Sequence, residues 1–203
     1  MTGPVGAATI DGVAQRALTV RRWQRTEYER LVDLGAFERE PVELIAGQLI
    51  VAEPQSSYHA TTVGFIDDAL RAFLPRGFFV RAQMPLALDA DSAPEPDLAV
   101  VRGTREDYLT THPARPVLVI EVADSSLHFD RHDKASLYAR GHIADYWIVN
   151  LVERVLEVYR DPERDPSAPY GWRYRSVASL TPPAVVTPLE IPAIAIAVGD
   201  LLR

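Results

Sequence analysis

Two acids of this chain stand among residues that exclude water. Asp97 follows Pro96 at the opening of an apolar stretch, and Glu121 lies inside Val117-Leu118-Val119-Ile120-Glu121-Val122, a run apolar enough for a strand buried on both faces. Carboxylates on adjacent buried strands are driven toward protonation unless positive charge shares the site, and a divalent cation with oxygen ligands answers that need. The backbone carbonyl of Val122 is a further oxygen candidate, and with no cysteine in the chain the donor set favours Mg2+ or Mn2+ over zinc. Thirteen residues after Glu121 comes Lys134, the one lysine among 21 basic residues. Where arginine serves everywhere else, a retained lysine points to a task for a compact ammonium that a planar guanidinium would crowd. Two acids and an ammonium make a hydrolytic set. The ion polarises a phosphoryl oxygen and lowers the pKa of a bound water, while the ammonium steadies the attacking water or the developing charge. The bland alternative makes Glu121 a strand-end acid paired with arginine and Lys134 a survivor of composition.

Other residues are candidates with two readings each. His59, at the start of a predicted helix, either ligates the metal or orients Asp97 through a hydrogen bond, or else caps the helix facing solvent. Glu43, inside an apolar strand, is either a further acid near the metal or an edge acid facing water. Alternation alone leaves open whether Gln83 faces a cleft. His128 and His132 are four apart but lack a third ligand, and Asp130 and Asp133 read as helix-start acids favoured by the dipole. Tyr146-Trp147-Ile148-Val149 reads as core. The basic, aromatic stretches Arg154 to Arg164 and Trp172-Arg173-Tyr174-Arg175 read as solvated strand faces rather than phosphate contacts.

The elements that must carry these residues follow from periodicity and punctuation. A helix is predicted from Thr26, its cap, to Gly35. Val42 to Ile45 and Gln48 to Val51 flank Ala46-Gly47 as a hairpin, and a helix capped by Ser57 runs to about Leu74 before Pro75. Strands are predicted over Phe78 to Leu88, Asp97 to Arg102, Val117 to Ala123, Asp145 to Asn150, Arg154 to Tyr159 and Trp172 to Val177. A short helix spans Asp130 to Arg140 before Gly141, with Lys134 and Tyr138 on one face and Arg131 a turn earlier. Asp161 to Pro169 reads as a loop. The order is mixed α/β, a sheet partly covered by helices.

At 203 residues and 47% hydrophobic, the chain accommodates a loose arm over residues 1–18 and one domain over 19–203. Met1 to Gln15 lacks a signal-peptide pattern, and Pro188, Glu190 and Pro192 interrupt the apolar tail, so a soluble cytoplasmic protein without a membrane span is expected. A net charge of −7 argues against coating nucleic acid nonspecifically, yet bound divalent ions invert the field of an acidic site.

Pro96-Asp97, Ile120-Glu121-Val122, Asp130, Lys134, Tyr138, Gly141 and Tyr146-Trp147-Ile148-Val149 together resemble the Uma family of restriction endonucleases, within the PD-(D/E)XK nuclease superfamily. Glu43-Leu44-Ile45-Ala46-Gly47-Gln48-Leu49 and His59 fit the same pattern, so the resemblance runs from about Arg22 to Tyr159. It implies a restriction-endonuclease-like fold, a central mixed sheet flanked by helices, and divalent-metal-dependent cleavage of DNA by Asp97 and Glu121. The superfamily lysine two residues after the second acid is replaced by Ala123, so Lys134 must arrive from the next helix. The alternative is a nuclease-fold module that binds nucleic acid or a protein without cutting, and a third reading is hydrolysis of another phosphoester. A homodimer is expected, because two sites related by a two-fold axis suit a duplex.

Overall fold

The structure, a computed structural model, describes residues 20–51 and 54–202. The arm expected over residues 1–18 lies outside them. In chain order the elements are α1 (Arg25–Asp33), β1 (Val42–Ile45), β2 (Gln48–Val51), α2 (Ser57–Phe73), β3 (Phe78–Ala82), β4 (Leu98–Arg102) and β5 (Leu118–Ala123). There follow the single turn α3 (Leu127–Phe129), a π-helical segment (Asp130–Lys134), α4 (Ala135–Arg140), β6 (Asp145–Asn150), β7 (Val155–Arg164), β8 (Trp172–Leu180), β9 (Val185–Val186), β10 (Ile196–Ala197) and α5 (Val198–Leu201).

Six strands form one sheet in the order β3-β4-β5-β6-β7-β8. Every neighbouring pair is antiparallel except β5 and β6. A parallel pair needs a crossover, and α3, the π segment and α4 supply it. The expected mixed sheet flanked by helices is therefore the observed one. Buried along its whole length, β5 sends alternate residues to two cores. Ile120 and Val122 join Val63, Ile66 and Leu70 of α2 and the chain's last apolar residues, Ile191 to Leu202. On the opposite face, Val119 and Ala123 pack with Leu137, Tyr138 and Ala139 of α4. The interrupted apolar tail is thus a core strip, and among the described residues no helix is long and apolar enough to cross a membrane.

Several boundaries differ from expectation for local reasons. The first helix is capped by Gln24, in a reciprocal pair with Glu27, rather than by Thr26. Ser56, not Ser57, caps α2 by accepting the His59 amide. The strand expected to reach Leu88 stops at Ala82, because Gln83 adopts φ 51 and breaks the pleat. The helix expected from Asp130 starts three residues earlier, and its first full turn is π-helical. Gly141 ends α4 with φ −75, so its left-handed freedom is not used. A Cβ there would stand 2.5 Å from Leu88 Cδ1, so glycine is needed for close packing instead. The predicted loop from Asp161 is strand as far as Arg164, with Asp161 at positive φ and Pro162 opposite Tyr174.

Arg131 illustrates how the crossover is anchored. Its guanidinium turns away from Lys134 and meets Glu157 of β7 in a forked contact, Nε at 3.1 Å and Nη2 at 2.6 Å from Oε1. Asn150 Nδ2 and the Tyr159 hydroxyl also donate to Glu157, at 2.8 and 2.7 Å. Burial raises this carboxyl, but the bonds from Arg131, Asn150 and Tyr159 outweigh burial and leave it below its ordinary value of 4.5. A carboxyl with a depressed folded value stabilises above its ordinary value and loses that contribution as pH falls through the folded one. Glu157→Gln is therefore expected to lower stability near neutral pH by about 1.5–3 kcal/mol, the range for hydrogen bonds to a charged group. In denaturant titrations the difference from wild type should shrink as pH drops below 4.5.

Candidate active site

The β4–β5 ladder ends at Leu98 paired with Ile120. One step further the strands still face each other, but side chains replace the backbone bonds. The Asp97 amide donates to Glu121 Oε2 at 3.1 Å, and the Val122 amide donates to Asp97 Oδ2 at 2.8 Å. Each acid thus caps an amide that the finished ladder would leave unpaired in a dry interior. His59 Nε2, from the first turn of α2, lies 3.1 Å from the same Asp97 oxygen.

Lys134 arrives from the crossover. Its Nζ donates to Glu121 Oε1 at 3.0 Å and lies 3.7 Å from Glu43 Oε1 on β1. The Tyr138 hydroxyl, one turn later, donates to the same Glu121 oxygen at 2.7 Å. Glu43 in turn accepts the Glu95 amide at 3.0 Å. Asp130, one turn before Lys134, is 2% exposed and accepts from the Ser126 hydroxyl at 2.5 Å. The π segment sets Asp130 and Lys134 toward one cleft, with Tyr138 continuing that row onto Glu121; wide turns of this kind recur at functional sites.

Apart from Val122 and Tyr138, which lie behind the wall, these groups line a cleft of about 870 Å³ whose walls also include Val42, Ile50, Val51 and Phe129. Among the described residues, six carboxyl groups, those of Glu43, Glu95, Asp97, Glu121, Asp124 and Asp130, share it with one ammonium and no arginine. Burial, then Asp130, Asp97 and Glu43 against the pull of Lys134, push the Glu121 carboxyl up to about 8. Burial likewise pushes Asp130 to about 6 against Lys134 and Ser126, and burial and Glu43 raise Glu95. Burial alone would lower Lys134, but Glu121, Glu43, Asp130 and Asp97 hold it charged, well above its ordinary value. His59 is lowered by burial yet raised overall by its bond to Asp97, the charge of Asp97 and the Val122 backbone. Protons are being drawn in because positive charge is short.

That shortage is the test of fit for a metal ion. Among the described residues no three His, Asp or Glu side chains are already gathered as ligands around one point. The donors nonetheless suit a hard divalent ion: they are carboxylates, buried, and in excess of their one counter-charge. Asp97 Oδ1 is held only by Gln55 at 3.5 Å, and His59 Nδ1 is buried without a hydrogen-bond partner among the described residues.

The structure thus brings Asp97, Glu121, Lys134, Glu43 and His59 into one cleft, with Val122 contributing its amide to Asp97. Glu43 is not an edge acid in water, nor is His59 a solvent-facing cap, since both are buried. Gln83 does line the cleft. His128 and His132 stack on each other at 4.3 Å and do not line it. Asp130 corrects the helix-dipole reading; its spacing of four from Lys134 was the signal that it shares the lysine's face. Gln55, Glu95 and Ser126 had no such signal, because loops and the neighbouring strand bring them in. The basic stretches behave as solvated faces, with Arg173 paired to Glu163 and Arg175 to Asp161.

The mixed sheet flanked by helices is a nuclease-like fold. The crystal structure of "a putative nuclease belonging to DUF820" from Anabaena variabilis ATCC 29413 superposes with a TM-score of 0.61 at 18% identity, covering 83% of this chain and 96% of that one. At that identity the likeness concerns the fold. No curated protein matches the chain. The profile of the Uma2 family, described as "Putative restriction endonuclease", matches residues 25–199, and the chain belongs to that family.

The raised carboxyl of Glu121 has a measurable sign. A folded value above the ordinary 4.5 stabilises below 4.5 and is lost as pH rises through about 8. In chelator, melting temperature is expected to decline across that interval, and Glu121→Gln should flatten the decline. An unchanged slope in the variant would place the titrating group elsewhere.

Proposed function

We propose that this protein is a divalent-metal-dependent endonuclease that hydrolyses DNA phosphodiester bonds. The observation that carries the reading is the meeting of Asp97, just before β4, Glu121 of β5 and Lys134 of the crossover in one buried cleft. Membership of the Uma2 family and a structural neighbour titled "a putative nuclease" support it.

Asp97 and Glu121 would hold Mg2+ or Mn2+, with Glu43, His59 and the Val122 carbonyl as further donors. When bound, the ion polarises a phosphoryl oxygen and lowers the pKa of a water. The chain's own groups do the rest. The Val122 amide and His59 fix the Asp97 carboxylate, leaving Oδ1 the more open oxygen. Tyr138 and Lys134 fix Glu121 from the opposite side. Lys134 is charged at neutral pH, so it orients the attacking water and offsets charge building on the phosphoryl oxygens rather than taking a proton. The apolar wall of Val42, Ile50 and Phe129 strengthens each of these charge interactions. Cutting both strands of a duplex asks for two such sites, and a homodimer on a two-fold axis supplies them.

Pure protein is expected to nick plasmid with Mg2+ or Mn2+ and not in chelator. Asp97→Ala should abolish ion binding in titration calorimetry. Lys134→Arg should melt like wild type and bind the ion, yet cut more slowly by a factor on the order of 10² or more. Absence of nicking with every ion and substrate would favour the non-cleaving module. Equal cutting by wild type, Lys134→Arg and Lys134→Ala would remove Lys134 from the chemistry.

A further inference from the structure

A cleft walled, among the described residues, by six carboxyl groups and no arginine repels the phosphates on either side of the one being cut, so they need a separate anchor. One arginine stands out. Among the described residues Arg81 is the only one buried, at 8% exposure. No carboxylate reaches it: burial is the main influence on its guanidinium, opposed by the Tyr108 phenol. Its Nε has no hydrogen-bond partner among the described residues. Nη2 meets His112 Nδ1 at 3.1 Å and the Pro85 carbonyl only at 3.5 Å, and the group lies 5.9 Å from the Tyr108 ring centre. A buried cation without an acid is destabilising until an anion completes it.

The place of Arg81 says which anion. It sits on β3 opposite Ala99, on the sheet face that Asp97 shares two residues before Ala99, at the entry to β4. Gln83, two residues further along and just past the end of β3, donates its amide to the Asp97 carbonyl at 3.0 Å and lines the cleft. Arg81 is therefore about 7 Å from the cleft wall along the strand, one to two nucleotide steps of a duplex that rises about 3.4 Å per nucleotide. Its tip leans toward Pro85, the cleft end of β3, under the exposed His112 and Met84.

We propose that Arg81, with His112 at its mouth, is a phosphate-binding subsite that holds a backbone phosphate flanking the cleaved bond. The planar guanidinium fork matches a phosphate's oxygens, and His112 guards the approach from solvent. The DNA part of this proposal rests on the nuclease reading above; the anion site itself does not.

Two measurements separate those parts. In thermal melts at matched ionic strength, inorganic phosphate should raise the melting temperature of wild type more than chloride does. Arg81→Gln should abolish that difference and His112→Ala should reduce it. In a Lys134→Ala background with Mg2+, a fluorescent duplex should bind Arg81→Gln about tenfold more weakly, and the slope of log K against log salt should shrink by about one. A phosphate response untouched by either substitution overturns the proposal. If Arg81→Gln fails to fold, His112→Ala decides alone, because it changes an exposed side chain, and an unchanged response there is equally fatal. A phosphate response that depends on Arg81 in a protein that binds no duplex would uphold the anion site and sink the nucleic-acid reading.

Discussion

Everything in this molecule is arranged around two carboxylates buried face to face where the β4–β5 ladder runs out. Asp97 and Glu121 each accept an amide from the opposite strand, so they are structural caps as well as the acids we propose to hold the ion. Two buried acids at that distance stand only if positive charge is brought to them. Lys134 is that charge inside the chain, and its supply dictates the crossover between β5 and β6.

The crossover is pinned from both flanks. On one, Lys134 and Tyr138 reach Glu121; on the other, Arg131 grips Glu157 of β7. The Tyr146 hydroxyl donates to the Asp130 carbonyl beneath, and Ser136 donates to the Trp172 carbonyl on β8. Held at these points, the π segment keeps its wide turn, and Asp130 and Lys134 line the same cleft. Side chains locked by packing and by a further layer of hydrogen bonds are what a preorganised site requires.

The charge balance explains the division of labour we infer across the surface. An overall charge of −7 and a carboxylate-lined cleft leave little attraction for a polyanion. A divalent ion would reverse the field locally, and the one buried arginine among the described residues, which none of their acids pairs, stands beside the cleft rather than in it. Many of the other described arginines are already paired with acids, Arg160 with Asp145 and Arg140 with Asp89 and Asp91 among them.

Residue type and local pattern alone determined the hairpin, the central helix, the buried β5 and the suspicion attached to Asp97, Glu121 and Lys134, because an acid in an apolar run and a single lysine among arginines are anomalies visible in one dimension. The order of the sheet, the parallel β5–β6 pair and the reach of β7 past Pro162 were decided by tertiary pairing. So were the buried state of Glu43 and His59, whose sequence surroundings fit a wet edge and a helix cap equally well until β1 and α2 packed against the cleft. Asp130 went from a helix-start acid to a cleft acid because a π turn, which no propensity announces, sets the face it presents. The isolation of Arg81 is tertiary in the same sense: a lone arginine in a strand is ordinary, and only the folded chain reveals that no carboxylate among the described residues pairs with it.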